Sequence, residues 1–118
     1  MFELMVEESF AAAHALREYR GPCENLHGHN WKVQVFLQGE KLNKIGLLED
    51  FKVIKSKLND VLAEFDHKLL NDIPPFDIEN PSSENLAKII FKKLKKKIKS
   101  INKVAVWESP TAQANYWE

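Results

Sequence analysis

The stretch "HGHNWKVQVFLQG", residues 27–39, puts His27, His29, Trp31, Val33, Val35 and Leu37 at odd positions, with Asn30, Lys32, Gln34 and Gln38 between them. Side chains on a strand alternate between faces, so this pattern predicts a β-strand with one buried and one polar face. Upstream, "FELMVEESFAAAH" places Phe2, Leu4, Val6, Phe10, Ala12 and His14 at even positions, interrupted only by Glu8. It predicts a second long strand with a mostly apolar face. The intervening "REYRGPCEN" carries Gly21-Pro22 as its turn signal.

Downstream the period changes. Phe51, Ile54, Leu58, Val61, Leu62 and Phe65 follow helical spacing behind Asp50, a good N-cap residue. The proline-rich "NDIPPFDIENP" then connects to a second helix, capped by Ser82 or Ser83 and buried along Leu86, Ile90, Phe91, Leu94 and Ile98. "KVAVWE" and "AQANYWE" read as two short strands separated by Ser109-Pro110-Thr111. The order ββααββ predicts an α+β fold: a four-stranded antiparallel sheet with two helices on one face. An open sheet has two edges that need cover or partners, so pairing with further subunits is plausible from the pattern.

The chain has 118 residues, the size of a single domain spanning 1–118. It carries 17 basic and 17 acidic residues, a formal net charge of zero that argues against bulk attraction to nucleic acid or membrane. The lysines at 92, 93, 95, 96, 97 and 99 accordingly read as a solvated helix face. No apolar run approaches the roughly 20 residues that span a bilayer. The acidic, alternating N-terminus does not resemble a secretory leader. Cys23 is the only cysteine and can form no internal disulfide, so a cytoplasmic setting is expected.

His27 and His29 project from the same strand face, and a hairpin would bring His14 to them. Three neutral imidazoles suit Zn²⁺ and leave a coordination position open, as in catalytic sites. Hydrogen-bonded core histidines are the alternative. Gly28 between them removes a side chain and would let the backbone pass close to another group. Cys23 reads as an inert thiol, a fourth metal ligand, or a base whose pKa a nearby cation lowers. Asp66-His67 is an acid/base combination, although adjacent residues usually point apart. From local sequence, a helix-end histidine favoured by the C-terminal dipole is the preferred reading of His67. Glu108 shares the apolar side of its strand with Val104 and Val106 and needs a partner there.

Taken in order, "FAAAH", "CENLHGHN", "GLLEDF", "FDHKLLN", "PSSENLA" and "VAVWES" resemble the 6-pyruvoyltetrahydropterin synthase/6-carboxytetrahydropterin synthase family. The likeness runs from Phe10 to Tyr116. It implies the tunnelling fold, in which subunits join their sheets into a barrel as trimers or hexamers, with active sites between subunits. The Lys32/Gln34/Gln38 face would then line the barrel. It implies zinc on His14, His27 and His29, and Cys23 as catalytic base. Asp66 and His67 would be a second acid/base pair delivered across an interface. Glu108 would anchor a pterin, with Ser82 and Ser83 beside it where the family usually has threonine with serine or threonine.

Spacing separates the branches. Pyruvoyl-forming members tend to have five residues between the cysteine and His-Gly-His, whereas this chain has Glu24, Asn25 and Leu26, as 6-carboxytetrahydropterin synthases do. A third group replaces the cysteine with glutamate. The implied substrate is a pterin triphosphate, 7,8-dihydroneopterin triphosphate, and the implied pathway queuosine or other 7-deazapurine synthesis. A pyruvoyl-retaining synthase is the nearer alternative and a non-enzymatic zinc-stabilised assembly module the more distant one.

Overall fold

The computed structural model describes residues 1–19 and 25–118. β1 (Phe2–His14) and β2 (His27–Gly39) pair antiparallel along their whole length, from Phe2 opposite Gly39 to His14 opposite His27. The register follows from the two alternating patterns. Val6 meets Val35, Phe10 meets Trp31 and Ala12 meets His29 on one face. A slip by one residue would turn every one of these side chains into solvent. Glu8, the one break in the pattern, sits half-buried opposite Val33. The turn expected at Gly21-Pro22, and Cys23 with it, lie outside the described residues.

α1 (Phe51–Leu62) starts where Asp50 accepts a hydrogen bond from the Lys52 N–H, and it buries Ile54, Leu58, Val61 and Leu62. Phe51, which shares the helical spacing, is half-exposed at the first position of the helix. α2 (Ser83–Lys95) is capped by Ser82, whose side chain accepts from the Asn85 N–H. Its stripe of Leu86, Ile90, Phe91 and Leu94 is fully buried, and Ile98 follows just beyond the helix. Each such apolar side chain is worth about 1.5–3 kcal/mol over its exposed state.

The four expected strands are present, the third of them longer than its motif. β3 (Lys68–Leu69), β4 (Ile101–Ser109) and β5 (Ala112–Trp117) complete a sheet of order β3-β1-β2-β4-β5. The unforeseen member is β3, two residues pairing parallel with Ala12 and Ala13 of β1. Two residues are too few to show any period. The core lies between the sheet and the helices, with Val33, Val35, Leu37, Val104 and Val106 facing Leu58, Leu86 and Ile90. On the other sheet face Glu3, Glu7, Gln34 and Gln38 form cross-strand hydrogen bonds. No described helix is long and apolar enough to cross a membrane.

One feature positions the site. β1 and β2 stay paired to their ends, whereas β2 and β4 are paired only from Lys32 opposite Trp107 onward. Beyond that pair the strands separate, so His29 and Glu108 face each other across an opening in the sheet.

Candidate metal centre and active site

His14, His27, His29 and Glu108 each offer a ligand atom, all within 4.8 Å of one another. Trp31 forms the floor, with the rings of His14 and His29 edge-on to it at 4.9 and 5.1 Å. Trp31 is fixed in turn by stacking on Phe10 and by donating its indole N–H to the Ala12 carbonyl.

The hydrogen bonds decide the tautomers. His14 Nδ1 lies 2.7 Å from the Pro81 carbonyl oxygen, and His27 Nδ1 lies 2.6 Å from that of Asn25. A carbonyl oxygen only accepts, so both Nδ1 atoms carry a proton, and in the neutral imidazoles both Nε2 atoms present lone pairs. Those two Nε2 atoms are 3.1 Å apart. Two acceptors have no reason to face each other unless a cation lies between them. The separation is close to the roughly 3.3 Å expected between nitrogens on one tetrahedral zinc ion. His29 Nε2 is buried without a hydrogen-bond partner. It lies 3.2 Å from Glu108 Oε1, within ion-pair range but not in hydrogen-bond geometry. Burial holds the His14 and His29 pKa values below the ordinary one, outweighing the opposing pull of the Pro81 carbonyl on His14 and of Glu108 on His29. Neutral imidazoles with free lone pairs fit a divalent cation.

Segment 80–83 braces this group from behind. Asn80 accepts from the Arg17 N–H at 2.8 Å and donates to the Arg17 carbonyl at 2.9 Å. Pro81 orients His14, Ser82 caps α2, and Ser83 donates its hydroxyl hydrogen to Glu108 Oε2 at 3.2 Å. Of the two serines, therefore, Ser83 reaches the site and Ser82 is committed to the helix. Asn71 grips Ala15 just as Asn80 grips Arg17, through its N–H and carbonyl, both at 2.9 Å. Nothing in the sequence marks Asn71, Asn80 or the carbonyls of Asn25 and Pro81 as parts of the site. Backbone acceptors leave no mark in residue identity, and the two asparagines read there only as loop residues.

Asp66 and His67 stand elsewhere, outside the four-residue group. Asp66 accepts from the Ala11 N–H at 2.9 Å, and His67 donates its own N–H to the Ala11 carbonyl. This latch sets β3 against β1. His67 has φ 58°, in the left-handed region. That backbone turn lets the imidazole reach back to its neighbour, with Nδ1 3.0 Å from Asp66 Oδ1. The pair thus interacts although adjacent residues usually point apart. The helix-end reading of His67 is corrected: α1 ends at Leu62. The His67 side chain is 82% exposed and lines a cavity over β1 and β2 with Ala11, Ala13, His29 and Lys68. Among the described residues the close approach expected at Gly28 does not occur: a Cβ there would meet only the Ala12 carbonyl oxygen, at 3.9 Å.

An α+β sheet backed by two helices, with a histidine-rich metal-type centre at the end of its long hairpin, defines the class. The sequence model of the 6-pyruvoyl tetrahydropterin synthase family matches residues 3–118, and the chain belongs to that family. It is 34% identical over 123 residues to the 6-carboxy-5,6,7,8-tetrahydropterin synthase of Synechocystis sp., covering 99% of this chain and 94% of that one. It is 32% identical over 108 residues to the dihydroneopterin monophosphate aldolase of Pyrococcus furiosus, covering 89% and 88%. The solved 6-pyruvoyl tetrahydropterin synthase of Caenorhabditis elegans superposes with TM-score 0.91 at 30% identity, covering 99% and 95%.

Proposed function

We propose that the chain is a zinc-dependent 6-carboxy-5,6,7,8-tetrahydropterin synthase. It converts 7,8-dihydroneopterin triphosphate and water to 6-carboxytetrahydropterin, acetaldehyde and triphosphate. The observation that carries the reading is the pair of facing, unprotonated Nε2 atoms of His14 and His27, joined by the orphaned Nε2 of His29. Similarity to 6-carboxytetrahydropterin synthases over nearly the whole chain supplies the substrate class. The three-residue spacing from Cys23 to His27 points to the same branch.

In this reading His14, His27 and His29 hold the zinc. When bound, the ion supplies Lewis-acid polarisation of the substrate side chain. Glu108, held by Ser83, accepts hydrogen bonds from the N–H groups of the pterin ring and fixes its orientation. Ser82 contributes by starting α2, which places Ser83. Cys23 takes a side-chain proton as thiolate, and the Asp66–His67 pair moves a second proton. His67 is exposed on the sheet edge and is not among the four clustered ligand residues. That placement suits delivery to a neighbouring subunit in a homo-oligomer, a trimer or hexamer. The lone cysteine and the absence of a long apolar helix among the described residues suit a cytoplasmic enzyme.

The likeness to the Caenorhabditis elegans synthase favours a second reading, in which triphosphate leaves and the pyruvoyl side chain stays. One incubation separates the two. Zinc-loaded protein with 7,8-dihydroneopterin triphosphate yields acetaldehyde and a 6-carboxypterin in the first reading. Triphosphate without acetaldehyde assigns the chain to the second. No turnover by folded, zinc-loaded oligomer defeats both.

A further inference from the structure

Where β2 and β4 part, a cavity of about 500 Å³ opens. His29 and Glu108 line it, and so do Lys32 and Trp107, whose places on β2 and β4 put them on the opposite, helix-free face. The opening therefore connects the metal-type centre to the far side of the sheet. Its lining carries both signs of charge. Glu108 supplies an acceptor carboxylate, and Lys32 is the only Lys or Arg among the described residues that line it.

The Lys32 ammonium rests 4.4 Å from the centroid of the Trp107 ring and has no ion-pair partner among the described residues. The ring beneath it is locked. Trp107 donates its indole N–H to Gln34 Oε1 at 3.0 Å, and Gln34 donates in turn to Glu7 Oε1 at 2.9 Å. A cation over an indole face is weakly held compared with one against a phosphate. An ammonium so parked, lining the same cavity as an acceptor carboxylate on the other sheet face, suits a ligand that carries both N–H donors and anionic oxygens.

We propose that Lys32 binds the phosphate tail of the substrate within this cavity and so sets the preference for phosphorylated over unphosphorylated pterins. The inference rests on the pterin reading above and assigns the residue that reads the tail.

The test compares two unreactive probes, neopterin triphosphate and neopterin, binding to zinc-loaded protein and followed by pterin fluorescence anisotropy. Taking the ratio of their dissociation constants cancels effects common to both, including ring binding at Glu108. Lys32→Met keeps the alkyl stem against Trp107 while removing the charge. It is expected to shrink the preference for the triphosphate about tenfold or more, the scale of one lost charged hydrogen bond. Affinity for neopterin stays put, and Lys32→Arg retains most of the preference. An unchanged ratio in Lys32→Met overturns the inference, as does an equal loss of both ligands, which marks a merely structural role. Turnover of the dihydro substrate is measured alongside. A Lys32-dependent ratio without turnover defeats the proposed reaction and leaves the phosphate site standing. Turnover with an unchanged ratio does the reverse.

Discussion

His14 and His27 point their Nε2 atoms at each other across 3.1 Å, and in the neutral imidazoles neither atom has a proton to donate. Both protons are committed to carbonyl oxygens through Nδ1. The arrangement is stable only when something positive shares the two lone pairs. Zinc titration should therefore raise the melting temperature as the ion binds the folded state alone. His29→Ala should reduce bound zinc well below one ion per chain and remove most of that thermal gain. The checks are metal analysis after dialysis and calorimetry with and without zinc.

Cys23→Ala tests the division of labour between metal and base. If the three histidines hold the ion and the thiolate moves a proton, zinc content stays as in wild type. Turnover falls by about 10²–10⁴-fold, the usual worth of a positioned base. Loss of zinc in this variant would identify the cysteine as a ligand and return the chain to the closed, structural type of site.

Asp66 gives the pH dependence a sign. The Ala11 N–H, and after it the His67 side chain, hold its carboxyl below the ordinary range. The folded chain then binds fewer protons at this group than the unfolded chain. Its stabilising contribution is whole above the ordinary carboxylate pKa of about 3.9 and fades as pH falls through the folded value. The melting temperature of Asp66→Asn should therefore lie below that of wild type near neutral pH. The gap should close in acid, read by thermal scans across the range.

Asn80→Ala and Asn71→Ala each remove a side-chain amide that makes two hydrogen bonds to a single backbone residue. Each should cost about 1–3 kcal/mol, because part-buried backbone groups lose their partners. Urea titration measures the cost. Amide exchange at Ala15 in one variant and Arg17 in the other should quicken, and unchanged protection at both would show that the grips do not hold the segment.

Much of this was legible in the residues because it depends on period. The alternation in 2–14 and 27–39 gives the register of the hairpin and with it the meeting of His14, His27 and His29. Helical spacing behind Asp50 and Ser82 gives both helices. The illegible part depends on other physics. β3 is too short to alternate, and its place follows from the latch of Asp66 and His67 on Ala11. The left-handed turn at His67 cannot be inferred from its side chain, which is neither glycine nor asparagine. Strand pattern placed Glu108 on the correct face, but its nearness to His29 depends on where β2 and β4 part, a property of the pair.

Asn71 and Asn80 give the end of β1 two clasps that imitate a neighbouring strand. The chain is pinned at Ala15 and again at Arg17, immediately past His14. Whatever the following residues do, their pull is taken up before it reaches the imidazole. His14 thus keeps its place independently of the sequence that follows Arg17, whereas His27 stays tied to that stretch through the Asn25 carbonyl.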